Sequence, residues 1–430
     1  MAEKDYASGP IKPRIIIHGG AGNINRTNLS AASYKAYREA LLSTLHSSSR
    51  LLSKPGATAL DIASHAVSLL EDNALFNAGH GAVFTKAGTN ELEASIMVSK
   101  GYSKRGVGVM KVTRVKNPIK VAREMLVRGE EADGEEPKLG GGSVEKLAEE
   151  WDLEMVKPSY FWTKRRWDEH RKGLGKSTDK ETYKHDRRQA DPELGVDAVC
   201  PGFHDPSWDG KEYLPQGTVG CVVLDSTGML CVATSTGGLT NKLPGRIGDT
   251  PTIGAGFFAE QWIEENPFQR PPPKTPSPLA QLLSSTFGRS VVDCVPLLSS
   301  YLPLPQADAG SDGPVDAFSY RHGVAMSGTG NGDTFLKLAA VRTAAAMARF
   351  SFPPMSLQLA VTRMAGPDGM LQQSAEDRWH KTGEGEGGII GIEYQLGQGK
   401  VVADFNCGGM FRAWVDDEGK ERMMVFRDEY

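Results

Sequence analysis

Thr218 is the residue of this chain whose setting most clearly suggests covalent chemistry. It lies in Gly217-Thr218-Val219-Gly220, at the start of an apolar run. Because a threonine hydroxyl is a weak nucleophile at neutral pH, it needs an adjacent base, which a chain break before Thr218 would supply as the freed α-amine. Gly217 allows the strained backbone that such a break requires. The motif therefore predicts a precursor that cleaves itself between Gly217 and Thr218.

Polar residues that could recognise a free amino acid follow at short range. Thr234 and Thr236 alternate along a strand-like run and so share one face. Arg246 and Asp249 lie in a glycine-containing loop and offer a cation for an α-carboxylate and an anion for an α-ammonium. From these residues alone, simpler interpretations stay open. The Gly-Thr-Val-Gly motif is an ordinary start for a buried strand, the threonines are common strand residues, and Arg246 with Asp249 is compatible with a surface ion pair.

Five separated blocks of sequence are shared with one known family. They are residues 17–22 (IHGGAG), 76–81 (FNAGHG) with 93–97 (EASIM), 217–251, 327–333 (SGTGNGD) and 405–410 (FNCGGM). In this order they resemble the plant-type (class 2) L-asparaginases and isoaspartyl peptidases, a family of N-terminal nucleophile hydrolases. The resemblance implies an α+β fold, the four-layer αββα sandwich, in which two packed β-sheets are covered by helices.

The resemblance also implies a catalytic set. Its members would be Thr218 as nucleophile, Thr236, Thr329, Gly330 and Asn77. The Thr236 hydroxyl would contact Thr218 and tune it. Thr329 and Gly330 would form the oxyanion site, where negative charge develops on the scissile carbonyl. Asn77 would support the site from nearby.

Substrate binding is implied for four residues: Arg246, Asp249, Thr329 and Gly330. The reaction would be hydrolysis of L-asparagine or a β-aspartyl dipeptide, a small-molecule or dipeptide substrate, with release of L-aspartate. No cofactor and no metal-ligating side chains are implied. Some relatives hold a sodium ion on backbone carbonyls of the loop that corresponds to residues 71–81. Carbonyl ligands leave no side-chain signature, so the sequence leaves a structural sodium ion open. An (αβ)₂ homo-oligomer is expected.

Three alternatives share parts of this pattern. A glycosylasparaginase would use the same site on asparagine-linked sugars, and a taspase-like threonine endopeptidase would need a site open to a protein chain. An uncut, non-enzymatic scaffold is the alternative from a different class. Three departures from the family pattern are present: Glu93 stands where many relatives have aspartate, Val98-Ser99 replaces the usual Asp-Gly, and Asp333 stands where glutamate is common. These departures affect the expected substrate preference more than the expected class of reaction.

Composition excludes several classes of protein. A net charge of −4 over 430 residues gives no electrostatic reason to expect nucleic acid or an anionic membrane as a partner. No apolar stretch approaches the length of a membrane span, and the first residues lack the apolar segment of a signal peptide, so the cytoplasm is the expected location. Five cysteines without paired CxxC spacing suit reduced thiols.

Several elements are predicted to position these residues. A short buried strand over residues 14–18 ends in a glycine turn, and helices follow over 31–52 and from Thr58. Cleavage would divide the chain into an α subunit, 1–217, and a β subunit, 218–430, that together form one domain. Within them, residues from about 129 to 216 resemble a mobile linker, and about 266–316 an insertion beyond the family core.

Overall fold

The computed structural model describes residues 11–131, 138–176, 217–265 and 319–428, and within them the strands form two β-sheets with helices packed against each. The strands are β1 Arg14–Gly22, β2 Leu92–Lys100, β3 Ser103–Val112, β4 Lys138–Gly140, β5 Val219–Leu224, β6 Leu230–Thr236, β7 Phe257–Glu265, β8 Ser319–Gly330, β9 Gly387–Gln395, β10 Gln398–Phe405, β11 Gly409–Val415 and β12 Glu421–Met424. The helices are α1 Ala31–Leu52, α2 Ala59–Glu71, α3 Pro118–Glu131, α4 Gly142–Glu150, α5 Lys164–Gly173, α6 Gly332–Leu338, α7 Ala340–Phe350, α8 Leu357–Ala365 and α9 Met370–Gln373.

Strand order brings distant parts of the chain together. In the described chain, the larger sheet has the order β12-β11-β1-β5-β6-β2-β3-β4, and the smaller has β10-β9-β8-β7. Neighbouring strands of the larger sheet are antiparallel, except that β4 pairs with β3 in parallel. At the centre of this sheet, β1 and β5 lie side by side, so the glycines after His18 run next to the predicted cleavage site.

Consecutive isoleucines in β1 show that the larger sheet is covered on both faces. Ile15 and Ile17 belong to a buried cluster with residues of α1, α2 and α3, whereas Ile16 belongs to a second buried cluster with residues of β8, β9, α7 and α8. Side chains alternate between the two faces of a strand, so an unbroken apolar run requires apolar packing on both. Each of these isoleucines contributes roughly 1.5–3 kcal/mol by leaving water.

The predicted helices over 31–52 and after Thr58 are confirmed as α1 and α2. Thr58 caps α2, its side chain accepting a hydrogen bond from the Asp61 backbone N–H at 3.1 Å. The predicted end of β1 at His18 is wrong, since the strand continues to Gly22. A shift of register between His18 and Gly20 lets the glycines go on pairing with β11.

Within the linker predicted over about 129–216, residues 129–131 end α3, and residues 138–176 contain β4, α4 and α5. Within α5, Arg165 and Arg166 are buried rather than solvated. The Arg166 guanidinium donates to the Gly81 carbonyl at 2.7 Å and to the Leu75 carbonyl at 3.2 Å, and it pairs with Glu169 at 3.1 Å. A buried arginine needs such partners, and here the 75–81 loop provides them.

Two parts of the chain are distinguished by their contacts. Residues 7–262 and 321–430 form one unit, and residues 1–6 with 263–320 are grouped in another, of which 263–265 and 319–320 are described. The predicted insertion, 266–316, and the linker residues 177–216 lie outside the described residues. Among the described helices, none is both long and apolar enough to span a membrane.

Candidate active site

The register of β5 and β6 places Thr218 next to Thr236. These strands are antiparallel, with Val219 opposite Ser235 and Gly220 opposite Thr234. Thr218 directly precedes Val219, and Thr236 directly follows Ser235. The two threonines therefore lie at the same end of the strand pair. Both are buried and line one pocket. The strand pairing therefore places the two threonines next to each other.

The pocket also collects the predicted head-group residues. Its lining residues are Glu93, Thr218, Thr236, Gly238, Leu239, Arg246, Gly248, Asp249, Gly330 and Gly332. They come from β2, the ends of β5 and β6, the loop after β6, and the turn between β8 and α6. The charged walls suit a small polar ligand.

Backbone packing at the predicted cleavage site leaves no room for side chains. A Cβ at Gly217 would lie 2.3 Å from the Gly20 Cα, and one at Gly20 would lie 3.0 Å from the Gly217 Cα. Gly20 also has a φ of +118°, which strongly favours glycine. The glycines of β1 therefore press against the bond that precedes Thr218.

The hydroxyl groups around Thr218 form a short polar array. The Oγ1 atoms of Thr218 and Thr250 are 3.4 Å apart. Thr236 Oγ1 accepts a hydrogen bond from the Gly238 N–H at 3.0 Å, which leaves its own hydrogen free to donate. Thr250 was not singled out from the sequence. Its place in the 217–251 block, directly after Asp249, was the only signal available.

Thr329 and Gly330 end β8 beside the pocket. Thr329 is fully buried, and within the described residues its Oγ1 has no hydrogen-bond partner. Buried hydroxyls are normally paired, and Thr329 itself is not among the residues that line the pocket. Gly330 has a φ of +137°, and a Cβ there would lie 2.4 Å from the Glu386 carbonyl oxygen. This position therefore requires glycine where the backbone faces the pocket.

Arg246 and Asp249 both face the pocket but do not form the surface ion pair that the spacing left open. Arg246 Nη2 instead pairs with Asp333 Oδ1 at 2.8 Å. Asp249 is buried, packed so closely that a Cβ at Gly332 would lie 2.4 Å from its Oδ1 and one at Gly256 2.9 Å from its Oδ2. A buried carboxyl and an accessible guanidinium in one pocket are the two charges that a free amino-acid head group requires.

Glu93 is a pocket residue that the sequence presented only as a departure from the family pattern. Its carboxyl oxygens accept from the Gly248 N–H at 3.1 and 3.2 Å, and Oε1 lies 3.6 Å from Lys242 Nζ. Burial raises the pKa of Glu93 and lowers that of Lys242, while each charge opposes the shift of the other. This pair fixes the loop that carries Arg246.

Asn77 lies behind the pocket wall rather than in it. Its Nδ2 donates to the Gly238 carbonyl at 2.8 Å, and its Oδ1 accepts from the Val83 N–H at 3.0 Å. The Gly237 N–H donates to the Asn77 carbonyl at 2.9 Å. Asn77 therefore holds the backbone that follows Thr236, in keeping with the supporting role implied for it.

His18 lies beneath the nucleophile strand. Its Nε2 is 2.7 Å from Ser327 Oγ, which joins β1 to β8. A Cβ at Gly220 would lie 2.4 Å from that nitrogen, so glycine is needed above it. Burial lowers the pKa of His18 to about 3. The ring is neutral at physiological pH and serves as a structural link between the sheets.

A sharp pH dependence of substrate affinity is expected from Asp249. Burial raises its pKa to about 7, and the charges of Glu93 and Asp333 add to the rise while Arg246 opposes it. A raised pKa means that the carboxyl is protonated below pH 7 and loses the charge that attracts an ammonium group. KM for a head-group substrate should therefore rise about tenfold per pH unit below 7.

KM measured from pH 5 to 8.5 checks this prediction. The α-amine of Thr218, with an ordinary pKa near 8, would limit kcat rather than KM, so the two titrations are separable. An Asp249→Asn variant, which cannot ionise at this position, should bind substrate weakly at every pH. A KM that stayed constant from pH 5 to 8 in the unaltered enzyme would contradict the assignment.

The loop over residues 71–81 is the part of the chain for which the family resemblance left a sodium ion open. A Cβ at Gly79 would lie 2.3 Å from the Glu71 carbonyl oxygen, and one at Gly81 would lie 2.1 Å from that of Phe76 and 2.5 Å from that of Ala74. The glycines thus let the loop pack closely against these carbonyl oxygens, and carbonyl oxygens are among the ligands of hard cations. Among the described residues, no group of His, Cys, Asp and Glu side chains could hold a metal ion.

Comparison with known proteins agrees with this geometry. Residues 11–263, more than half of the chain, match the family model described as asparaginase. The chain belongs to this asparaginase family. The resemblance identified from the five blocks is thereby confirmed.

Similar proteins come from distant organisms. The isoaspartyl peptidase of Escherichia coli K12 is 30% identical over 94% of this chain and 92% of its own length. A Dictyostelium discoideum protein whose name gives both isoaspartyl peptidase and L-asparaginase is 35% identical over 58% of this chain and 71% of its own. The isoaspartyl peptidase/L-asparaginase of Mus musculus is 32% identical over 57% of this chain and 63% of its own.

Proposed function

We propose that this asparaginase-family member is a self-cleaving threonine amidohydrolase that hydrolyses L-asparagine, β-aspartyl dipeptides, or both, and releases L-aspartate. The observation that carries the proposal is the pocket in which Thr218 lies together with Arg246 and Asp249. A nucleophile next to a cation and an anion matches a substrate whose amide bond is attached to a free amino-acid head group. The names of the relatives support the same chemistry.

Maturation is the first step of the mechanism. Thr218 Oγ1 attacks the Gly217 carbonyl carbon, and the acyl group moves from nitrogen to oxygen. Water then hydrolyses the ester and leaves Thr218 as a new N-terminus. The close packing of Gly20 against Gly217 restrains the backbone at this bond. Cleavage produces the α-amine that serves as base in later turnovers.

Turnover uses the same hydroxyl. The α-amine takes the Thr218 proton while Oγ1 attacks the side-chain carbonyl of the substrate, and Thr329 with Gly330 stabilises the developing oxyanion. The amine returns the proton to the leaving nitrogen, so that ammonia or an amino acid departs from an acyl-enzyme. Water then releases L-aspartate. Thr236 and Thr250 would orient the nucleophile through their hydroxyls.

Head-group recognition separates this proposal from its alternatives. Arg246 would bind the α-carboxylate and Asp249 the α-ammonium. A pocket lined by both charges favours a free amino-acid head group over an internal residue of a protein chain, the substrate of a taspase-like endopeptidase. A glycosylasparaginase would share the head-group contacts and differ in the leaving group.

The proposal extends to architecture and assembly. The two buried clusters support a four-layer αββα sandwich, with α1–α3 outside the larger sheet and α7 and α8 outside the smaller. An (αβ)₂ assembly, a cytoplasmic location and the division at 217/218 are proposed with it. A sodium ion held by the carbonyls of Glu71, Ala74 and Phe76 would stiffen the loop that carries Asn77.

A hydrolysis panel tests the proposed function. The matured protein is incubated with L-asparagine, a β-aspartyl dipeptide, an asparagine-linked sugar and an unstructured protein, and released aspartate and peptide ends are quantified. Aspartate from either or both of the first two substrates alone supports the proposal. Release of aspartate mainly from the linked sugar would favour a glycosylasparaginase, and cut protein an endopeptidase. A chain that stays intact and inactive would favour the scaffold.

A further inference from the structure

The Arg246–Asp333 ion pair connects two walls of the pocket. Arg246 lies in the loop after β6, and Asp333 is the second residue of α6, which follows β8. Their side chains meet at 2.8 Å, with 20% of the Arg246 side chain and 57% of the Asp333 side chain exposed. The pair therefore lies where the pocket meets solvent. The proposed catalytic cycle assigns no role to Asp333.

The role of Asp333 depends on how the Arg246 guanidinium is oriented. Nη2 donates to Asp333 Oδ1, while Nη1 and Glu93 Oε2 both lie next to Gly248, where a Cβ would be 3.3 Å from the first and 3.2 Å from the second. Arg246 thus lies near two carboxylates, those of Asp333 and Glu93, before any substrate arrives. A third carboxylate, that of the substrate, has to share this cation with them.

We propose that Asp333 is a specificity-determining residue whose carboxylate competes with the substrate's α-carboxylate for Arg246. This inference rests on the proposed function, because it needs Arg246 to receive the head group. Competition is favoured over support, since the loop that carries Arg246 is held independently of Asp333, through the contacts of Glu93 with the Gly248 N–H and with Lys242. Asp333, more than half exposed, contributes a solvent-screened contact that an incoming carboxylate can replace.

Binding of L-aspartate provides the direct test, since it carries the same head group and needs no turnover. Titration calorimetry on the matured protein compares the unaltered chain with Asp333→Asn and Asp333→Glu. Asp333→Asn should lower the Kd about two- to fivefold, the range expected for releasing an exposed ion pair. Asp333→Glu keeps the charge and should stay within about twofold of the unaltered chain. KM for L-asparagine or a β-aspartyl dipeptide should change in parallel.

A control removes the charge of another exposed aspartate that pairs with an arginine. Asp417 pairs with Arg14 and does not line the pocket, so Asp417→Asn should leave the Kd unchanged. A second readout is the pH profile of Kd. Asp249 is faced by Glu93, Arg246 and Asp333, and the Asp333 charge helps to raise its pKa. Asp333→Asn should therefore move the acid limb of the Kd profile to lower pH, which loss of folding stability alone would not do.

The results of this binding experiment can be distinguished from those of the hydrolysis panel. A Kd for L-aspartate that rises or stays constant in Asp333→Asn overturns the competition, and a rise would make Asp333 a positioning residue for Arg246. Absence of L-aspartate binding to the unaltered chain overturns it as well. Failure of the proposed function appears independently, as absence of aspartate release from L-asparagine and β-aspartyl dipeptides.

Discussion

Thr218→Ala should remain a single chain and lose hydrolysis by about 10⁴-fold or more. One side chain is expected to serve two reactions, since its hydroxyl attacks first the Gly217 carbonyl and then the substrate. Gel electrophoresis after long incubation, together with N-terminal sequencing of any fragment, measures the first effect. An aspartate-release assay measures the second. Thr218→Ser keeps a hydroxyl and should cleave more slowly than the unaltered chain.

A threonine in the turn between β5 and β6 offers a matched control. The hydroxyl of Thr227 contacts Asp225 and lies away from the pocket, so Thr227→Ala should cleave and hydrolyse as the unaltered chain does. Two fragments from Thr218→Ala, or full activity in a chain that never cleaves, would contradict the mechanism. In the expected outcome, the fragment from the unaltered chain begins at Thr218.

Arg246→Ala should cleave normally and lose at least about 10²-fold in kcat/KM on substrates with a free head group. The loss follows from leaving the α-carboxylate without its charged partner in a partly enclosed pocket, which costs a few kcal/mol. Cleavage of the chain involves no head group and should be unaffected. Arg246→Lys should recover only part of the loss, because an ammonium lacks the planar fork of donors.

Arg378→Ala is the matched control for this loss. Arg378 forms an exposed ion pair with Glu384 outside the pocket, so kcat/KM should stay within about twofold of the unaltered chain. If Arg246→Ala hydrolysed β-aspartyl dipeptides as well as the unaltered enzyme, the head-group assignment would be wrong. Activity on unstructured protein in the same variant would then favour the endopeptidase.

Local sequence was sufficient for several parts of the fold and of the site. The caps and apolar spacing of α1 and α2 are readable because a helix is stabilised by contacts within one or two turns. Thr218 and Thr236 belong to a short antiparallel strand pair, whose register follows from few intervening residues. The five blocks identified the family for the same reason, since each is a continuous stretch.

Contacts between residues that lie far apart in the sequence could not be predicted from local sequence. The pairing of Arg246 with Asp333, the packing of Gly20 on Gly217 and the approach of Thr250 to Thr218 all depend on which strands become neighbours. Glu93 likewise appeared as a substitution in a motif, and only folding placed its carboxyl against the Gly248 N–H.

The charged segment before the cleavage site shows most clearly what local sequence could not predict. Its composition predicted a solvated linker, yet Arg166 is buried against the 75–81 loop. The sequence by itself determined the family, the nucleophile motif and the local elements, because these depend on neighbouring residues. The tertiary structure decided which charges are buried, which are paired and which face the pocket. Those outcomes depend on desolvation and on partners that lie far away along the chain.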